Sequence, residues 1–129
     1  MTDKKTETPN PLAAVDELLA RVRDERKAHI DNWGVQSHPS YYGESERRKY
    51  EERANYYKQV WEAQKDLDSI TWATVLLEEV FEALSETDPE KRKYELVQVA
   101  AVAIAEAESI DLRAGILTDA EAEGTGEFA

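Results

Sequence analysis

One pair of segments constrains this chain more than any other: WATVLLEEVFEAL at 72–84, followed by YELVQVAAVAI at 94–104. At about 100° per residue, the first places Trp72, Leu76, Val80 and Ala83 on one apolar helical face, and Glu79 falls on that face with them. Glu82 follows at i+3, and Glu78 marks the edge where the polar side begins. In the second segment every residue from Leu96 to Ala105 is apolar except Gln98, which stands i+3 from Glu95. Glu79 and Glu82 on one helix, and Glu95 and Gln98 on the next, can therefore converge between the two. Ionised carboxylates in an apolar seam carry a heavy desolvation cost unless a positive charge joins them. The available donors are all oxygens and the chain has no Cys, a set that suits a hard cation such as Mg2+ or Mn2+ rather than zinc.

Composition narrows the rest. The 129 residues are enough for one domain with a core. Ala, Glu, Leu, Lys and Arg are abundant and Gly numbers five, which favours an all-α chain. No run of 18 uncharged apolar residues is present, and the start lacks the order of a signal peptide; a soluble, cytoplasmic protein without a membrane partner is expected. The absence of Cys excludes disulfides, thiolate metal sites and a Cys nucleophile. A formal net charge of −12 argues against stable nucleic-acid binding. It also repels free polyphosphates, unless a divalent cation inverts the field locally.

In chain order, residues 1–11 read as a disordered N-terminal arm, 12–113 as a helical domain and 114–129 as a flexible acidic tail. A first helix is expected from 12 to about 31, with Val15, Leu18, Leu19 and Val22 at helical spacing. The loop that follows, NWGVQSHPSYYG at 32–43, carries Trp33, Gln36, His38 and two Tyr, flat stacking surfaces beside hydrogen-bonding side chains that suit a nucleobase. A second helix spans 44 to about 66, with Tyr50, Ala54, Tyr57, Trp61 and Ala63 as its buried side. Its mixed-charge run ERRKYEER at 46–53 should form i to i+4 pairs, and Lys58 is a candidate contact for phosphate. Ser69 is the expected cap of the third helix, and Asp88 with Pro89 the start of the fourth. Lys91 stands i−4 from Glu95 and is expected to pair with it. No nucleotide-binding glycine motif, HExxH or GxSxG is present.

The pattern Glu78, Glu79, Glu82, twelve intervening residues, then Glu95 and Gln98 resembles the EExxE…ExxD pattern of the MazG-like all-alpha nucleoside triphosphate pyrophosphatases, with Gln98 where that family usually has Asp. The segment Trp33, Gly34, Gln36 and His38 is similar to one in a MazG-like subgroup from bacteria and their phages. The resemblance implies a four-helix MazG-like bundle that assembles as a homodimer or homotetramer. It implies magnesium-dependent hydrolysis of a nucleoside triphosphate to monophosphate and pyrophosphate. In that scheme Glu79, Glu82, Glu95 and Gln98 hold the metal, Glu78 is the catalytic candidate that orients or deprotonates water, and Trp33, Gln36, His38 and Lys58 contact substrate. Two other classes fit the same residues: a catalytically silent relative that binds a nucleotide, and a structural acidic bundle that engages a protein partner.

Overall fold

The computed structural model describes residues 10–122, with side chains as far as Gly115. It contains four helices, α1 (Ala13–Trp33), α2 (Glu44–Asp66), α3 (Trp72–Ser85) and α4 (Pro89–Ala122), and no strand among the described residues. The all-α expectation holds. No helix among these residues is long and apolar enough to cross a membrane. Residues 1–9 of the expected arm and 123–129 of the expected tail lie outside the described residues.

The sequence reads as one domain over 12–113, whereas the contacts group into two compact units: Gln36–Glu106, and the segments on either side of it. In the outer unit α1 runs two residues beyond the expected end, so Trp33 belongs to the last turn of a helix rather than to the loop. Gly34 stops the helix. Its φ of 70° lies in the left-handed region that glycine enters without a steric penalty, and its N–H donates to Ile30 O at 2.7 Å. Leu18 is the buried residue of α1, while Leu19 and Val22 are exposed. His29 takes a helix-end position, its ring 5.7 Å from that of Trp33 and its Nδ1 3.3 Å from Arg26.

The inner unit is built on α2 packed against α3. Phe81 is the anchor: Tyr57 stacks on it at 5.6 Å, Tyr50 stacks at 6.2 Å, and the Arg53 guanidinium lies 5.7 Å over its ring. Ala54 of α2 and Ala83 of α3 are buried, small side chains of the kind that let packed helices approach closely. Ala63, expected on the buried side, is exposed. The stripe that starts at Tyr50 and continues through Ala54, Tyr57 and Trp61 leads at helical spacing to Gln64 instead, and Gln64 is half-buried. Trp72, expected on the apolar face of α3, is 38% exposed, and Thr74 is buried at 5%.

The cap of α3 is Thr71 rather than Ser69: its side chain accepts from Thr74 N at 3.3 Å. Ser69 is used two residues earlier, where its N–H and Oγ both reach Gln64 O and close the turn. Asp68 occupies that turn with φ 52°, a conformation Asp tolerates better than most residues. The opposite end of α3 is held by two guanidinium groups. Arg47 Nη1 donates to Ser85 O at 3.0 Å and Arg92 Nη1 to Leu84 O at 3.3 Å, satisfying carbonyls that a helix end leaves without partners and complementing its negative pole. After three intervening residues α4 begins at Pro89, where Asp88 Oδ2 accepts from Lys91 N at 3.0 Å, the cap and first-turn proline the sequence predicts.

Candidate metal centre

The short connection from α3 to α4 brings Glu95, in the second turn of α4, to Glu79 and Glu82 of α3. One ligand atom from each of Glu79, Glu82 and Glu95 lies within 4.8 Å of the other two, and all three residues are half-buried. Glu79 and Glu82 share a face because they are i, i+3 neighbours, and Glu95 is brought to them from α4. Burial pushes the Glu79 carboxyl above its ordinary range, and the charges of Glu95 and Glu78 push it further. Burial is also the chief cause at Glu82, joined by Glu79, Glu78 and Glu95 and opposed by Lys58. For Glu79 and Glu82 alike, the cost of burial comes first and repulsion from neighbouring carboxylates adds to it. No Lys or Arg forms an ion pair with any of them among the described residues.

Gln98 lies one turn beyond Glu95 on α4 and is half-buried. Glu78 stays outside the triad, with its carboxyl raised by burial and by Glu62 and lowered by Lys58. Lys58 itself is exposed on α2, and the α2–α3 packing brings its charge to bear on Glu78 and Glu82. Glu62, one turn along from Lys58, was not singled out by the sequence. On a charged helix face nothing distinguishes it until the register of α2 on α3 is known.

The aromatic loop divides between the two units. Trp33, 64% exposed, stands with α1 in the outer one, and Gln36 and His38, both exposed, belong to the inner one. His38 lines an open cavity of about 270 Å³ together with Pro39, Ser40, Tyr41, Tyr42 and Glu46. Glu46 organises that cavity. Its carboxylate accepts from Tyr42 N at 3.1 Å and from Tyr50 Oη at 3.1 Å, a local role masked in the sequence by its place in a run of mixed charges. Gln36 does not line this cavity.

The mixed-charge run at the start of α2 pairs as the sequence predicts, Arg47 with Glu51 and Arg48 with Glu44 at i, i+4, whereas the pairing expected of Lys91 does not form. Arg47 is tied to Glu44 and Glu51, both at 2.6 Å, and its side chain is only 14% exposed, so it is a structural cation rather than one offered to phosphate. Lys91 does not pair with Glu95; the ion pair in this turn joins Lys93 to Glu90 at 3.3 Å. Glu95 is not available to Lys91 because it turns toward Glu79 and Glu82 on α3.

Comparison of the chain with protein-family models, with curated proteins and with solved structures finds no match.

Proposed function

We propose that the protein is a magnesium-dependent nucleoside triphosphate pyrophosphohydrolase of the MazG-like kind. The observation that carries the proposal is the triad of Glu79, Glu82 and Glu95, whose ligand atoms lie within 4.8 Å of one another. Such a spacing suits one small divalent ion surrounded by carboxylate oxygens. The donors fit a hard cation, since each is a carboxylate and none forms an ion pair with a basic side chain among the described residues. When bound, Mg2+ or Mn2+ neutralises phosphate charge and lowers the pKa of a water. Glu79, Glu82 and Glu95 hold the ion, with Gln98 extending the set along α4. Glu78, beside the triad and outside it, orients the attacking water and accepts its proton. Lys58 faces Glu78 and Glu82 from α2 and supports the phosphates. Trp33, Gln36 and His38 are assigned to the nucleoside portion.

The assembly proposed is a homodimer or homotetramer. Along α4, Tyr94 is 63% exposed, Leu96 46% and Val97 63%, more apolar surface than a solvated helix face carries, and a second copy of the chain would cover it. Incubation with a panel of nucleoside triphosphates, with and without Mg2+, tests the activity: pyrophosphate release only with metal supports it, and no release with any nucleotide rejects it. Gln98 favours a second reading, a nucleotide binder without turnover, because an amide supplies no charge to the ion. Nucleotide-dependent stabilisation without pyrophosphate selects that reading.

A further inference from the structure

Arg92 is half-buried on α4, one turn before Glu95. Its guanidinium donates to Leu84 O at 3.3 Å and lies 5.3 Å over the Tyr41 ring. Both partners are uncharged, and among the described residues no carboxylate lies within ion-pair distance of it. The acidic groups nearest in sequence are turned elsewhere: Glu90 pairs with Lys93, Asp88 Oδ2 receives Lys91 N and Glu86 Oε1 receives Asp88 N, while Glu95 joins the triad. Arg47, the other guanidinium at this end of α3, already has Glu44 and Glu51. Arg92 is thus a fixed cation with an unspent charge. A guanidinium carries five N–H donors, and a carbonyl and a ring face leave most of that fork unused.

Charge balance at the triad shows what could use it. Three carboxylates and one divalent ion leave a net negative charge, which repels a polyphosphate unless further cations stand beside it. Lys58 supplies one from the α2 side. We propose that Arg92 supplies the other: it is an anion-binding residue of this centre and takes an oxygen of a polyphosphate whose neighbouring phosphate lies at Glu79, Glu82 and Glu95. The planar fork matches phosphate geometry, and the Tyr41 ring and Leu84 carbonyl hold it in place before ligand arrives. Tyr41 also walls the cavity that contains His38, so the guanidinium lies against a residue of that cavity while its own helix carries Glu95 one turn further on. This inference rests on the triphosphate reading of the triad.

The test uses the full chain and inorganic tripolyphosphate with Mg2+, which removes base and sugar from the question. Arg92→Gln is expected to weaken tripolyphosphate binding about 10-fold or more, Arg92→Lys to fall between the two, and the rise in Tm caused by Mg2+ alone to stay as in the wild type. Arg92→Gln binding as tightly as wild type overturns the inference while leaving the triphosphate reading intact. So does a variant that loses the Mg2+ response and tripolyphosphate binding together, since that marks Arg92 as a purely structural tie. If Arg92→Gln does not fold, Arg92→Lys decides: several-fold weaker binding with an unchanged Mg2+ response supports the role, and wild-type binding rejects it. A wild-type protein that responds to Mg2+ but to neither tripolyphosphate nor any nucleoside triphosphate overturns both readings.

Discussion

The ring of Tyr57 on α2 lies 5.6 Å from that of Phe81 on α3, with the two planes within 5° of parallel. That stack fixes where α3 sits on α2. One residue past Tyr57 is Lys58, and one residue past Phe81 is Glu82, so the register set by two apolar rings also places the cation whose charge reaches Glu82 and Glu78. Packing and site chemistry share a residue pair here.

Phe81→Ala is expected to lower stability by about 2 to 3 kcal/mol, toward the lower end for Phe truncation because the ring is half-buried. Tyr57→Phe keeps the stack and should be close to neutral. Urea unfolding of both variants measures this. Equal losses would show that the Tyr57 hydroxyl, rather than the stacked ring, holds the pair.

The helix pattern was legible because it rests on periodicity: the bounds of α2, the Pro89 start of α4 and the convergence of Glu79, Glu82 and Glu95 all follow from spacing and a short turn. Capping was less legible. Ser69 and Thr71 are both competent caps within three residues, and only the path of the turn, with Asp68 at φ 52° and Ser69 bonded back to Gln64, decides between them. Arg47 and Arg92 were hidden for a similar reason. A basic residue in a charged run looks solvated until a neighbouring helix end arrives with open carbonyls.

The cap gives a direct comparison. Thr71→Ala removes the acceptor of Thr74 N and is expected to cost about 1 kcal/mol. Ser69→Ala removes a longer bond, 3.4 Å, from an exposed hydroxyl and should cost well under half as much. Thermal denaturation of the two variants checks the order, and a reversal would return the cap to Ser69.

The crowded carboxylates make stability depend on pH in a direction set by the metal. Glu79 and Glu82 are raised above the ordinary 4.5 in the folded chain, so the fold binds protons more tightly than the unfolded state does. In metal-free buffer their contribution is favourable below about pH 4.5 and is lost as pH rises through the raised folded values. Glu79→Gln should therefore be neutral or stabilising near pH 7 without metal. With Mg2+ the order reverses: the wild type gains Tm by mass action on the folded site, the variant gains less, and acidification erodes the gain as protons compete for the oxygens. Melting curves of both proteins across pH 4 to 8, with EDTA or with Mg2+, measure the effect. A clear loss in the metal-free variant near pH 7 would say that Glu79 is paired with a basic side chain after all.

Gln98 supplies the remaining prediction. It stands at i+3 from Glu95 on α4 and is half-buried, where an amide oxygen can lie near an ion without adding charge. Three carboxylates and an amide hold a divalent cation less tightly than four carboxylates do, so half-saturation with Mg2+ should require a high concentration. Gln98→Asp adds the missing charge on the same helical face. The variant is expected to saturate at lower Mg2+ and to be somewhat less stable without metal, because one more partly buried charge joins the cluster. Magnesium titrations of pyrophosphate release, or of Tm where turnover is absent, give the two half-saturation points. If they coincide, position 98 lies outside the metal shell, and the triad of Glu79, Glu82 and Glu95 carries the ion without help from beyond Glu95 on α4.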